Sequence, residues 1–117
     1  MIRMSLRRPV AVAMTYTAVA LLGASRTVGS GVEDGRTFEA LVEERLNREL
    51  GSASGRRYEI LNFAMLSYGP LWRLHRLDTK VPAYEPDALW YVTHWGEIEF
   101  AVFDLRRAVM SGSKLPY

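Results

Sequence analysis

A chain of 117 residues, 49% hydrophobic and 24% charged, is long enough for one modest domain and has the composition of a globular rather than a disordered protein. Its 15 basic and 13 acidic residues leave a net charge of +2, which is too balanced to indicate nucleic-acid binding. The absence of cysteine excludes disulfides, thiolate metal ligands and cysteine nucleophiles.

The first sixteen residues form a basic and apolar lead. Arg3, Arg7 and Arg8 precede a run without charge, residues 9–24. A basic start, an apolar middle and a small-residue end are typical of a secretory signal peptide, here with possible cleavage after Ala20 or after Ala24. The run is too short and too interrupted by threonine and tyrosine to predict a membrane span. Its other interpretation is a buried strand, so the location stays open: cytoplasmic, which is slightly favoured, or secreted or periplasmic.

Strands and helices alternate along residues 17–117, which we predict to form one domain. Short apolar or β-branched runs predict strands at 17–22, 57–63 and 88–93. Apolar residues at helical spacing predict three helices, which begin at Thr37, at Pro70 and just after Gly96. This order implies right-handed crossovers and a three-layer α/β domain, in which a parallel sheet has helices on both faces.

Each predicted helix carries one apolar face that we expect to be buried. The three faces consist of Phe38, Leu41, Val42, Leu46 and Leu50, then Leu71, Leu74 and Leu77, then Ile98, Ala101, Val102, Leu105 and Val109. Gly51 is expected to end the first helix, since glycine is common just after a helix. The charged residues of that helix, Glu43 among them, are expected to face solvent.

The carboxyl ends of parallel strands meet at one edge of a sheet, where α/β proteins form their sites. Small and polar residues follow the three predicted strands there, in segments 23–25, 62–69 and 94–97. The glycines of loop 24–36 lack the spacing of a Walker loop or a dinucleotide-binding loop. His94 and Glu97 have no second pair of ligands to complete a metal site, so we expect neither metal nor cofactor. Ser25 is then either an exposed nucleophile or an ordinary turn serine.

Three segments at these strand ends resemble the sequence blocks of the SGNH (GDSL-type) hydrolases: LLGASRTVGSGV at 21–32, ILNFAMLSYG at 60–69 and PDALWYVTHWGE at 86–97. In the first, Ser25 falls on the nucleophile and Ala24 replaces the usual aspartate. In the second, Ser67 stands where the family has its oxyanion glycine. In the third, Glu97 stands where an asparagine donor belongs, and His94 is a nearby candidate donor.

The resemblance implies a flavodoxin-like SGNH fold and an esterase that forms an acyl-enzyme on Ser25 with a small acyl ester. The backbone N–H groups of Ser25 and Ser67 would hold the oxyanion. The family places its catalytic aspartate and histidine in a late D-x-x-H block, which this sequence does not contain. Three residues after Asp34, Asp78, Asp87 and Asp104 stand Thr37, Val81, Trp90 and Arg107.

The chain therefore resembles the amino-terminal portion of such a hydrolase. We expect it to be inactive by itself, because a serine without a base keeps its proton. We also expect it to associate or aggregate, because an incomplete sheet leaves an open edge. Two alternatives stay open: a non-catalytic SGNH-like binding module, suggested by Ala24, Ser67 and Glu97, and a small secreted protein cleaved near Ala24.

Overall fold

The computed structural model describes residues 15–66 and 69–117. In these ranges the elements are β1 (Thr15–Leu22), α1 (Ser25–Val28), α2 (Phe38–Leu46), a π-helical segment (Asn47–Gly51), α3 (Ser52–Ser54), β2 (Arg56–Asn62), α4 (Pro70–Thr79), a 3₁₀ turn (Val81–Tyr84), β3 (Ala88–Tyr91) and α5 (Glu97–Ser111). The predicted lead, 1–16, lies outside the described residues except for its last two positions, which begin β1. Ser67 also lies outside them.

The three strands form one parallel sheet with the order β2-β1-β3. β1 pairs with β2 from Thr15 opposite Arg56 to Leu21 opposite Asn62. On its other side it pairs with β3 from Val19 opposite Ala88 to Leu22 opposite Tyr91. The predicted α/β class with a parallel sheet is confirmed. β2 lies on one side of β1 and β3 on the other. The side on which strands are added to the sheet therefore changes at the central strand.

Both faces of β1 are buried, as its unbroken apolar run predicts. Alternate residues point to opposite faces of a strand, and the core divides accordingly. One cluster contains Ala18, Ala20, Leu22, Leu61, Phe63 and Val81, and the other contains Val19, Leu21 and Ile60. Leu77 of α4 packs against the first cluster, and so does Tyr84, whose ring meets the Phe63 ring edge-on at 5.1 Å.

Asp87 sets the register between β3 and the central strand. The N–H of Ala18 donates to Asp87 Oδ2 at 2.7 Å, and the N–H of Asp87 donates to the Ala18 carbonyl at 2.8 Å. These two bonds extend the pairing one residue before β3 begins. They hold the start of β3 against β1 and so determine where its carboxyl end falls.

Side chains from the helical segment before β2 cover the outer edge of that strand. Ile60 N–H donates to Glu43 Oε2 at 2.9 Å. Tyr58 N–H donates to Asn47 Oδ1 at 2.8 Å, and Asn47 Nδ2 returns a bond to the Tyr58 carbonyl at 2.8 Å. The expectation that Glu43 faces solvent is therefore wrong, because its carboxylate caps an edge that would otherwise be open to further pairing.

The first predicted helix also does not end at Gly51. It continues through the π-helical segment and α3, and Gly55, at φ 65°, ends it in the left-handed conformation that favours glycine. Asn47 Nδ2 also donates to the Glu43 carbonyl one turn earlier at 2.9 Å, and its bonds to Tyr58 hold this segment against the sheet. No residue of α2 is buried, because the helix meets β2 through polar side chains and not through its apolar stripe.

The apolar face predicted for α5 is exposed as well. Ala101 is half-buried, but Ile98, Val102, Leu105 and Val109 are exposed over 76%, 57%, 47% and 86% of their surface. The side of α5 that is partly buried carries Glu97, Ala101, Asp104 and Ala108. The helix therefore meets the rest of the domain about a quarter turn away from the stripe that its sequence marks as apolar.

Candidate active site

Ser25 lies at the carboxyl end of the central strand. β1 ends at Leu22, Gly23 is buried, and α1 begins at Ser25, which is exposed. The N–H groups of Thr27 and Val28 donate to the Ala24 carbonyl at 2.9 and 3.0 Å, so helical hydrogen bonding starts with them. The backbone N–H groups of Ser25 and of the next residue come before these bonds and have no partner within the helix, as at the start of any helix.

The loops that follow β2 and β3 run along both sides of this turn. Met65 N–H donates to the Gly23 carbonyl at 3.1 Å, and Val92 N–H donates to the Leu22 carbonyl at 2.8 Å. The structure thus brings the three predicted strand-end segments to one edge of the sheet, with the serine on the middle one. Ser67, the predicted oxyanion residue of the second segment, is not among the described residues.

Asn62 ties the serine turn to its surroundings. Its Nδ2 donates to the Thr27 carbonyl at 2.7 Å and to Glu39 Oε1 at 2.9 Å, while its Oδ1 accepts from the N–H of Ala64 at 2.9 Å. One amide therefore joins α1, α2 and the loop after β2. The sequence shows Asn62 only as part of the second motif and does not reveal these partners.

Glu97 accepts a hydrogen bond from a buried arginine. Arg73 of α4 is 2% exposed and donates through a guanidinium nitrogen to Glu97 Oε1 at 2.5 Å. Because arginine stays charged in proteins and only donates, Glu97 acts here as a carboxylate acceptor. It does not offer the donor that an asparagine at this position would provide.

His94 accepts one backbone hydrogen bond and lies beside Glu97. The N–H of Gly96 donates to Nδ1 at 3.1 Å, which assigns the ring proton to Nε2, and Nε2 faces Glu97 Oε1 at 3.5 Å. With its proton on Nε2, the ring has no free lone pair in this arrangement. The described residues show no hydrogen bond between His94 and Ser25.

Arg73 is the site residue that the sequence did not reveal. Burial acts to lower the pKa of Arg73, but hydrogen bonds to Glu97 and Tyr91 outweigh burial and raise the pKa above its ordinary value. The sequence predicts Leu71, Leu74 and Leu77 as the buried stripe of α4, yet Leu74 is exposed. The one sequence signal for the burial of Arg73 is its spacing. It comes three residues after Pro70 and four before Leu77, and so lies on the same helical face.

Gly69, at the start of α4, packs directly against α5. A Cβ at this position would overlap Asp104 Oδ2 and lie 3.0 Å from Asp104 Cγ. We expect Gly69→Ala to lower the free energy of unfolding by about 1–3 kcal/mol, because the two helices must separate slightly. Thermal unfolding measures the loss. Adding Asp104→Ala removes the obstructing atoms and is expected to restore most of it. A double variant that is no more stable than Gly69→Ala would show that the contact is not the cause.

Comparison of the chain with family models, with curated proteins and with solved structures found no match. None of the helices in ranges 15–66 and 69–117 combines the length and apolar character that a membrane span requires. Within the same ranges, no three histidine, aspartate or glutamate side chains are grouped so that they could hold a metal ion.

Proposed function

We propose that this chain carries the nucleophile-bearing part of a serine ester hydrolase of SGNH type, with Ser25 as the nucleophile. The observation that supports this most is the exposed position of Ser25 at the carboxyl end of the central strand, between two flanking loops. The order β2-β1-β3 is also the first part of the flavodoxin-like strand order. The sequence resemblance of all three strand-end segments supports the same assignment.

The proposed reaction is acyl transfer through the serine hydroxyl. Ser25 Oγ attacks the carbonyl carbon of a small acyl ester, its proton passes to a base, and the tetrahedral oxyanion is held by backbone N–H groups. Collapse releases the alcohol, which takes up that proton, and leaves an acyl-enzyme. Water then attacks the acyl-enzyme, and the acid and free serine are released. Of the expected oxyanion donors, the Ser25 N–H lies at the start of α1.

Among the described residues, no hydrogen bond joins Ser25 Oγ to a side chain that could act as its base. His94 already accepts a hydrogen bond from the Gly96 N–H at Nδ1, and its Nε2 lies 3.5 Å from Glu97 Oε1. His75 of α4 lies among aromatic rings, with centroid distances of 6.4 Å to Trp72 and 5.5 Å to Tyr117. We therefore propose that the base comes from polypeptide outside these 117 residues, and that the chain alone leaves the serine protonated.

An external base tests this assignment on the chain as it exists. We expect p-nitrophenyl butyrate to leave no acyl adduct in buffer alone, and a butyryl group on Ser25 when imidazole is added as a diffusible base. Intact-mass and peptide mass spectrometry locate the adduct. Ser25→Ala is expected to abolish it, whereas Ser30→Ala, an exposed serine of the same loop, is expected to leave it unchanged. Equal labelling of both serines, or none with imidazole present, would contradict a nucleophilic Ser25.

The second candidate is a non-catalytic binding module with the same fold. The ion pair between Arg73 and Glu97 favours it, because the pair occupies the position of a catalytic donor with a structural contact. Absence of the acyl adduct in the imidazole experiment would support this candidate. The secreted alternative is less compatible with the fold, since cleavage near Ala24 would remove β1, the strand that both others pair with.

A further inference from the structure

Four exposed apolar residues form a straight line along α5: Ile98, Val102, Leu105 and Val109, here called the α5 stripe. They follow one another at intervals of four, three and four residues. This alternation is the a/d spacing of a coiled-coil seam, with Val102 and Val109 at a and Ile98 and Leu105 at d. The side of α5 that meets the rest of the domain is a different one, so the α5 stripe is available to a partner.

Two opposite charges flank the α5 stripe on one side. Glu99 follows Ile98 and Arg106 follows Leu105, so both occupy the e position and lie seven residues apart on the same side of the helix. Both are exposed, and Arg106 Nε donates to Met110 Sδ at 3.4 Å within α5 itself. A surface with a negative charge toward one end of an apolar seam and a positive charge toward the other is complementary to a second copy of itself that runs in the opposite direction.

We propose that a second copy of this chain covers the α5 stripe, as an antiparallel pair of α5 helices around a two-fold axis. In this pair Val102 of one copy packs against Leu105 of the other, and Ile98 packs against Val109. Glu99 of each copy then lies near Arg106 of the other, so two ion pairs form. In a parallel pair the e positions would face g positions, which are Ala101 and Ala108 in α5, so neither ion pair would form. The charge arrangement therefore selects the antiparallel form.

The contact is small, and the dimer should therefore be reversible. A helix of 15 residues is about 22 Å long, so the pair buries less surface than a permanent dimer interface. The dimer does not depend on Ser25 chemistry, and its failure would leave the proposed function untouched.

A charge reversal tests the geometry. Sedimentation velocity over a range of protein concentrations is expected to show a monomer–dimer equilibrium for the unchanged chain. Glu99→Arg places two arginines together at each end of the seam and is expected to raise the dimer Kd by about tenfold or more. The double variant Glu99→Arg with Arg106→Glu restores opposite charges and is expected to return the Kd to near its original value. Glu33→Arg, the same charge change in an exposed loop, is the matched control.

A seam variant tests the apolar contact separately. Val102→Lys is expected to leave a monomer with an unchanged circular dichroism spectrum, because Val102 is exposed in the single chain. A chain that stays monomeric at every concentration would overturn the proposal. So would oligomers that respond neither to the charge reversal nor to Val102→Lys, which would indicate another surface, such as the outer edge of β3.

Discussion

Replacing Arg73 with methionine is expected to lower the free energy of unfolding by about 3–5 kcal/mol, a large share of the stability of a small domain. Methionine keeps much of the length of the arginine but leaves the Glu97 carboxylate, 12% exposed, without its buried cation. Glu97 Oε2 is buried and accepts no hydrogen bond from the described residues, so the arginine is the main compensation for this charge. Urea denaturation followed by circular dichroism measures the change.

A second variant distinguishes the effect of the unpaired Glu97 carboxylate on stability from the effect of lost packing. Arg73→Met combined with Glu97→Leu removes the carboxylate as well and is expected to recover at least about half of the loss. Arg48→Met is the surface control, since it breaks the Arg48–Glu44 pair, 3.0 Å long and exposed over 63% and 66% of the two side chains. That control is expected to cost less than about 1 kcal/mol. If the double variant is as unstable as Arg73→Met, the buried charge is not the cause.

Replacing Gly23 with alanine is expected to lower the free energy of unfolding by about 3 kcal/mol and to displace the serine turn. A Cβ there would overlap Thr27 Oγ1 and lie 2.6 Å from Thr27 Cβ and 2.8 Å from Thr27 Cγ2. Thr27 is buried and β-branched, so its side chain has few other rotamers and α1 must move as a unit. Chemical denaturation measures the loss of stability, and the rate of Ser25 acylation in imidazole reports the displacement.

Thr27→Ala shows whether this contact is the origin of the effect. Alone, it is expected to destabilise slightly, because it removes buried side-chain atoms. Combined with Gly23→Ala, it removes two of the three obstructing atoms and is expected to restore part of the stability. The two changes should therefore be non-additive and favourably coupled. Strictly additive losses would mean that Gly23 is required for another reason.

The strands and their parallel arrangement could be predicted because their signals are local. The apolar run that ends at Leu22 is what a strand buried on both faces requires, and its length matches the observed β1 within two residues. Alternation of strands with helices permits few topologies, of which a parallel sheet is the main one. The position of Ser25 at the sheet edge follows from the end of β1 alone.

The helix faces could not be predicted with the same success, because periodicity reports which residues are apolar and not what lies opposite them. The stripes of α2 and α5 have regular helical spacing, yet most of their residues are exposed, and only Leu46 and Ala101 are half-buried. Glu43 and Asn47 accept hydrogen bonds from backbone N–H groups at the edge of β2, and these bonds decide which side of α2 faces the sheet. Such polar partners lie more than ten residues away and leave no pattern in the helix itself.

The sequence by itself determined the α/β class, the three strands and the placement of Ser25 after the central one, since these depend on short runs of neighbouring residues. The tertiary structure alone decided the roles of Arg73, His94 and Glu97. Arg73 and Glu97 are 24 residues apart, and a buried charge is stable only where folding places its partner within hydrogen-bond distance. The same contact makes Glu97 a hydrogen-bond acceptor.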